Sequence, residues 1–495
     1  MPAERFHCLT LGCRINQYET QALREAWAAL GLTETGDPGR AGVILVNSCA
    51  VTAKAVAGLR AALRRLARQS PGARLVLTGC AAQAHGAELA RAFPGLAVVP
   101  QARKAELLAG PPGPPGAPAL TAPSPGTSLP ATTRAAATAP GAFGTPVPAP
   151  APPGARPPDP AGAAPAAAPA APAPGDAAPG LLAAPAAPRA FPPFAVRGSA
   201  RARAAVMVQD GCSQGCAYCI VPLTRGGPVS REPGAVIAEV DALFAAGWRE
   251  AVLSGVNLRQ YGLGQGRDFW DLLAAVDAAL APRWAGRARL RLSSLDPAQL
   301  GPRALDVLGA ARLVCPHLHL SLQSLAPAVL RRMGRGHYGP EGVADAVAGL
   351  GSIWPVFGLG ADILTGFPGE TEDEFRQTLA GCAKLPLSYA HVFPYSPRPG
   401  TAAARLPRQL PGPEKTARAT ALRAVACAAS EAFARRAAAL PGVDVVLEYG
   451  DPRRGVSEHF TPCRLTGPAP GAAPRDLVRA RPVAARGAEL DVDQA

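Results

Sequence analysis

The chain has 495 residues, enough for about three ordinary domains. Its 50 Lys and Arg against 36 Asp and Glu leave a formal charge of +14, which suits a polyanionic partner such as a nucleic acid. Eleven cysteines are too dilute for a disulfide scaffold, residues 1–13 lack the blocks of a secretory signal, and no unbroken apolar run reaches the roughly 18 residues of a membrane span. The expectation is a cytoplasmic protein with no membrane contact. Only Lys54, Lys104, Lys384 and Lys415 are lysines, and a codon bias that writes Arg for Lys explains that shortage as well as any function does.

Residues 1–108 alternate short apolar runs with helical patterns: a strand near 6–11, a helix near 19–30, a strand at 43–46, an Arg-rich helix near 53–68 and a strand at 75–78. This predicts a small Rossmann-like parallel α/β domain. Between 110 and 190 lie 24 of the 56 prolines and only five charged residues, so 109–195 reads as a disordered or polyproline-like Ala/Pro-rich linker without chemistry. Residues 196–438 return to strand and helix alternation, long enough for a barrel or partial barrel, and include a helical stretch from 414 to about 439. From 439 to 495, β-like runs at 443–449 and 477–483 separated by Gly and Pro predict a small β-barrel. The fold class is α/β multidomain.

The sharpest motif is Cys212-Ser-Gln-Gly-Cys216-Ala-Tyr-Cys219, a CxxxCxxC directly after the apolar run 204–208. Three thiolates on one short loop can hold three irons of a [4Fe–4S] cube, leaving the fourth iron open to a substrate. This is the pattern of the radical S-adenosylmethionine superfamily, whose members chelate the cofactor's methionine group there. Structural zinc would want a second CxxC-like pair, and none lies nearby.

A second set emerges when the strands are aligned. LTLGC ending at Cys13, LVNSC ending at Cys49 and LVLTGC ending at Cys80 each put a cysteine at the carboxyl end of a predicted strand. In an open parallel sheet such ends converge on one edge, so the three thiolates can meet and hold a second cluster with an open iron. Burial as a small hydrophobe is the ordinary reading of any one such cysteine. Cys8, Cys315, Cys382, Cys427 and Cys463 lack this context and are read as structural or incidental.

With both triads in view, the chain resembles the methylthiotransferases of the radical S-adenosylmethionine superfamily over nearly all its length except the proline-rich insertion. Within them it is most similar to the branch acting on threonylcarbamoyladenosine in tRNA. The segments that carry the likeness are LGCRINQYET (11–20), VNSCAVTAKA (46–55), TGCAAQ (78–83), DGCSQGCAYCIVPLTRG (210–226), HLHLSLQS (317–324), DILTGFPGET (362–371) and HVFPYSPRPGT (391–401). The branch rests mainly on the segments RINQ at 14–17 and HVFPY at 391–395.

The resemblance implies an N-terminal methylthiotransferase domain, a radical-forming (β/α)6 partial barrel and a C-terminal TRAM-like β-barrel that grips tRNA. It also implies two [4Fe–4S] clusters and S-adenosylmethionine as cofactors. Its partners would be tRNA, an electron donor and a sulfur donor, and the protein is expected to be a monomer. The implied reaction is methylthiolation of carbon 2 of threonylcarbamoyladenosine at tRNA position 37, next to the anticodon. The cluster on Cys212, Cys216 and Cys219 would cleave the cofactor reductively, and the one on Cys13, Cys49 and Cys80 would hand over sulfur. Two alternatives are methylthiolation of isopentenyladenosine or of a ribosomal protein side chain. A third, from another class, is a non-catalytic iron–sulfur protein that binds tRNA. Two departures stand out: Leu325 where the family usually carries a small residue, and a tail that matches the TRAM pattern only loosely.

Several residues beside the cysteines are candidates for the cofactor site. Tyr218 stands where the family's aromatic residue flanks the cofactor's adenine, with ordinary packing as the alternative. Gly255 and Asn257, and Ser293 and Ser294, end candidate barrel strands, and such ends touch ligand more often than other barrel positions. Asp362 is similar in position, with a turn cap as the alternative. Arg225 and Arg231 flank a Gly-Gly-Pro turn beside the cluster loop and are expected to contact phosphate or cofactor carboxylate, unless they are solvated surface arginines. His317 and His319 share one strand face and are read as core or pocket-lining rather than metal ligands. Arg60, Arg64, Arg65 and Arg68 have helical spacing and fit a solvated face or a contact with the anticodon stem.

Overall fold

The computed structural model describes residues 4–113, 189–467 and 471–494. Most of the expected linker, 114–188, lies outside the described residues.

The first unit comprises β1 (Arg5–Leu11), α1 (Arg14–Ala29), β2 (Thr33–Glu34), β3 (Val43–Ser48), α2 (Ala53–Gln69), β4 (Arg74–Thr78), α3 (Cys80–Ala92) and β5 (Ala97–Val98). The sheet is wholly parallel in the order β2-β1-β3-β4-β5. Every residue of β3 is buried, as a central strand covered on both faces requires. Strand order reverses between β1 and β3, so a crevice opens at their carboxyl ends. Helix α1 begins at Arg14, five residues before the expected start, because its inner face buries Asn16, Glu19 and Thr20 as well as Ile15, Tyr18 and Leu23. Those polar residues interrupt the apolar period that marks a helix in sequence.

The second unit runs through β6 (Arg203–Asp210), α4 (Val221–Arg225), β7 (Val229–Ser230), α5 (Pro233–Ala245), β8 (Glu250–Gly255), α6 (Phe269–Trp284) and β9 (Arg289–Leu292). It continues with α7 (Pro302–Ala310), β10 (His317–Gln323), α8 (Pro327–Arg332), α9 (Pro340–Ile353), β11 (Gly358–Thr365), α10 (Glu372–Lys384), β12 (Tyr389–Pro394) and α11 (Gly412–Ala437). Strands β6-β8-β9 and β10-β11-β12 are two parallel sheets joined by bridges from Leu290 to Val314 and from Leu295 to Leu320. Six parallel strands in chain order make the (β/α)6 partial barrel, with β7 pairing antiparallel at the edge. Leu318, Leu320 and Leu322 of β10 and Leu359, Ala361 and Ile363 of β11 join the core beneath the helices. Alternation therefore turns His317, His319 and Asp362 to the inner face. Leu325 turns outward into the same core and packs over Gly381 of α10, so its bulk is taken up away from the cysteine loop.

The third unit is a closed barrel of β13 (Val443–Leu447), β14 (Arg454–Ser457), β15 (Pro462–Leu465), β16 (Leu477–Arg486) and β17 (Glu489–Gln494), in the order β13-β14-β15-β17-β16. Its core includes Phe433 and Ala434 of α11. It docks on the partial barrel through a buried charge cluster at the start of β8 and β9. Glu250 accepts from Arg289 Nε at 2.7 Å and Arg291 Nε at 2.6 Å. The same guanidinium groups donate to the carbonyls of Asp444, Val456, Ser457 and Glu458. Among the described residues no helix is long and apolar enough to cross a membrane.

Candidate active site

Cys13, Cys49 and Cys80 follow three adjacent strands, β1, β3 and β4. The register pairs Leu11 with Ser48 and Asn47 with Thr78, and Cys49 N donates to Leu11 O at 2.8 Å. Glycine makes the approach possible. A Cβ on Gly12 would lie 2.7 Å from Cys49 Cβ, and one on Gly79, where φ is +96°, would lie 2.5 Å from both Asn47 Oδ1 and Ser48 O. Cys13 is accessible while Cys49 and Cys80 are buried, and all eleven cysteines are free thiols. Burial pushes the Cys49 thiol up to about 12, and Cys13 and Cys80 beside it push the same way. Three thiols that meet at one sheet edge, two of them buried and none in a disulfide, are a donor set that fits a cluster held at three corners.

Cys212, Cys216 and Cys219 line the loop between β6 and α4. Desolvation raises Cys219 to about 12, and the other two thiols add to it. Polar groups already aim at these sulfurs: Asn257 Nδ2 and Gln214 N reach Cys212 Sγ at 3.4 Å, and Arg335 Nη1 reaches Cys216 Sγ at 3.7 Å. Such donors stabilise thiolates and tune a cluster bound to them. Asn257 also donates from its backbone to Gln209 Oε1 at 2.8 Å, and Gly255 N donates to Ser293 Oγ at 3.3 Å. The strand-end residues Gly255, Asn257, Ser293 and Ser294 thus lie half-buried along one rim with the loop. Tyr218 packs with Phe367 and Tyr395, and burial holds its phenol well above its usual pKa.

Other expectations land elsewhere. Arg225 does not reach an open cofactor site. It is buried, donates to both oxygens of Glu19 at 3.0 and 3.2 Å and to Asp210 at 2.8 Å, and so ties α1 to the partial barrel. Arg231 likewise pairs with Glu239 at 2.7 Å and with Tyr18 Oη of α1. A guanidinium suits carboxylates of the protein's own as well as a ligand's, and spacing alone does not distinguish them. Asp362 is neither at a strand end nor in a turn: it lies mid-strand in β11, where His319 and His391 meet it, and the ligand atoms of these three side chains fall within 4.8 Å of one another. Arg64, Arg65 and Arg68 are exposed and Arg60 pairs with Glu88, the solvated face of α2.

Sequence reasoning missed the polar groups behind both triads. Lys104 donates to Glu19 at 2.5 Å and to Asn47 at 3.1 Å, and Asn16 bridges Asn47 and the Cys13 thiol. Near the other triad, Asp296 accepts from Arg335 at 3.0 Å and contacts His337 at 3.0 Å. Asn16, Glu19 and Asn47 lie within the segments that carry the family likeness, whereas no motif marks Lys104, Asp296, Arg335 or His337. For Lys104 the one signal is rarity, as one of four lysines in an Arg-rich chain.

A partial barrel whose first strand feeds a CxxxCxxC loop defines a radical S-adenosylmethionine enzyme, and residues 206–380 match the model of the Radical SAM superfamily. Residues 5–100 match uncharacterized protein family UPF0004. A threonylcarbamoyladenosine tRNA methylthiotransferase MtaB from Treponema pallidum is 35% identical, over 81% of this chain and 83% of its own length. The protein of that name from Bacillus subtilis is 29% identical, over 83% and 77%. A tRNA-2-methylthio-N(6)-dimethylallyladenosine synthase from Oleidesulfovibrio alaskensis is 39% identical, over 50% and 52%. Among solved structures, the radical S-adenosylmethionine methyltransferase TsrM from Kitasatospora setae shares the fold at TM-score 0.50 and 15% identity, over 81% of this chain and 74% of its own. The chain belongs to the radical S-adenosylmethionine methylthiotransferase family, in its MtaB-type branch. Its cofactors are [4Fe–4S] clusters and S-adenosylmethionine.

Proposed function

We propose that the protein transfers a methylthio group to carbon 2 of threonylcarbamoyladenosine at position 37 of tRNA. The observation that carries this reading is a pair of cysteine triads, one following strands β1, β3 and β4 and one on the loop after β6, in two sheets locked together by Glu19, Arg225 and Asp210. The hydrogen on carbon 2 of adenine is not acidic, so no side-chain base does the work. Bound S-adenosylmethionine and the clusters supply the radical and sulfur chemistry.

The chain's own residues bind, orient and exclude water. Cys212, Cys216 and Cys219 would hold one cluster and Cys13, Cys49 and Cys80 the other. Asn257 and Arg335 hold the first loop's sulfurs, and the rim of Gly255, Asn257, Ser293 and Ser294, with Tyr218, would receive the cofactor. Exposed arginines on the C-terminal barrel, Arg453, Arg464 and Arg481, are suited to RNA phosphates.

The half-length match to dimethylallyladenosine synthases supports a second reading, in which the base carries an isopentenyl arm. Mass spectrometry of tRNA nucleosides from a deletion strain separates the two. Loss of methylthiolated threonylcarbamoyladenosine, with its unmodified precursor accumulating, is expected; loss of the isopentenyl product instead would overturn the proposal. A silent tRNA-binding scaffold would form no 5′-deoxyadenosine when reduced and reconstituted.

A further inference from the structure

Three neighbouring strands each send one ligand-bearing side chain to the inner face of the partial barrel. The register sets His319 of β10 beside Gly360 of β11, and Asp362 of β11 beside His391 of β12. His319 Nε2 lies 3.1 Å from Asp362 Oδ1, and His391 Nδ1 lies 3.2 Å from the same oxygen. All three atoms fall within 4.8 Å of one another. Around a tetrahedral zinc with bonds of about 2.0–2.1 Å, neighbouring ligand atoms stand about 3.3 Å apart, so two edges of this triangle already have nearly that length.

The second nitrogen of His319 is held independently. His319, Gly360 and Tyr389 lie in one row across the sheet, and Tyr389 Oη reaches over the glycine to within 2.9 Å of His319 Nδ1. A Cβ at position 360 would sit 2.2 Å from Tyr389 Cζ and 2.5 Å from His319 Nδ1, so only glycine leaves room for this contact. An imidazole fixed at Nδ1 presents Nε2 in one direction, and metal-bound histidines are ordinarily held in this way at their other nitrogen.

Charge points the same way. The buried acids Glu19, Glu250 and Asp296 each face an arginine, whereas among the described residues Asp362 pairs with imidazoles alone. The arginines of this region, Arg14, Arg203 and Arg291, lie over the ring of Phe460 from the C-terminal barrel. That ring packs on Tyr389 and His317 but not, among the described residues, on His319 or His391, so these cations stand one ring away from the three ligands.

We infer that His319, Asp362 and His391 form a zinc site that uses no cysteine and does not depend on which adenosine is the substrate. Two imidazoles and a carboxylate are a zinc donor set, and such a set binds zinc more tightly than ferrous iron. His319 is buried, Asp362 half-buried and His391 exposed, so water reaches the cluster from one side and the fourth position stays open to an oxygen ligand. His317 keeps the packing role, with Nε2 3.0 Å from Tyr389 Oη.

The test uses the full-length enzyme with its clusters reconstituted anaerobically, equilibrated with zinc and then freed of loose metal by gel filtration. Elemental analysis should give about one zinc per chain beside the iron, and zinc X-ray absorption should show only nitrogen and oxygen neighbours at about 2.0–2.1 Å. His391→Ala, at an exposed position, should lose the zinc and keep the iron. Tyr389→Phe retains all three ligands and removes only the hydroxyl that holds His319, so it should weaken zinc about 10- to 100-fold in competition with a zinc indicator. If His391→Ala fails to load iron, Tyr389→Phe carries the comparison, and unchanged affinity there would overturn the site. Zinc-free wild type would overturn it too, leaving a hydrogen-bonded His-Asp-His cluster. Sulfur neighbours at about 2.3 Å would place the zinc in a cysteine triad instead, and equal zinc in wild type and His391→Ala would likewise refute the assignment.

Discussion

At the scale of single residues, the account turns on how glycine and cysteine divide the work at the N-terminal triad. Gly12 and Gly79 let backbone come within side-chain distance of β3, which is what brings Cys13, Cys49 and Cys80 to one edge. These cysteines were legible because three strand endings repeat one local pattern. Arg225 was misread because an arginine next to a cluster loop looks alike whether its acid belongs to a ligand or to another domain. If the N-terminal triad is where sulfur is handed over, Cys80→Ala should abolish methylthio transfer while keeping measurable 5′-deoxyadenosine formation. Product analysis by mass spectrometry decides this, and full tRNA modification by the variant would refute the assignment.

Among elements, α1 has the largest consequence and was the least legible. Its inner face carries Glu19, which is buried with Arg225 and Lys104 on either side, and whose carboxyl those two cations bring down to about 2 against the pull of burial. Because the partners come from the 3-10 segment Gln101–Ala109 and from α4, no window of sequence shows that this acid is matched. Glu19→Gln leaves two buried cations short of an anion, a loss of about 3–5 kcal/mol for a pair broken on one side. Denaturant melts and limited proteolysis should then show the N-terminal domain releasing before the barrel. Arg64→Ser, on the solvated face of α2, should change the same melts by less than about 0.5 kcal/mol. Strands β3 and β10 were readable for the opposite reason: their apolar alternation or continuity is local.

For the whole molecule, three units meet at buried charge. The C-terminal barrel rests on Glu250, Arg289 and Arg291, and its His459 is driven down to about 4 by burial and then by Arg291 and Arg289. An unfolded imidazole takes up a proton near pH 6.5, the folded one only near 4, so stability is complete above about 6.5 and falls as the pH drops from there toward 4. At pH 5 the loss from this group is about 2 kcal/mol, and His459→Asn should remove that share of the pH dependence in urea unfolding. Equal slopes for wild type and variant between pH 7 and 5 would count against the buried, neutral ring. That docking was invisible in sequence, because the arginines of β9 read as any charged strand until the carbonyls of another barrel are placed over them. The three-unit layout was visible, because composition changes sharply at the proline-rich stretch and short β-like runs separated by Gly and Pro follow the final helix. The most direct measurement of the central claim is the iron and sulfide content of the anaerobically reconstituted protein with each triad replaced in turn. About eight irons are predicted for the wild type, with about four lost when Cys13, Cys49 and Cys80 become alanine and about four when Cys212, Cys216 and Cys219 do. A wild-type protein that saturates at about four irons, with one triad replaceable at no loss, would contradict it.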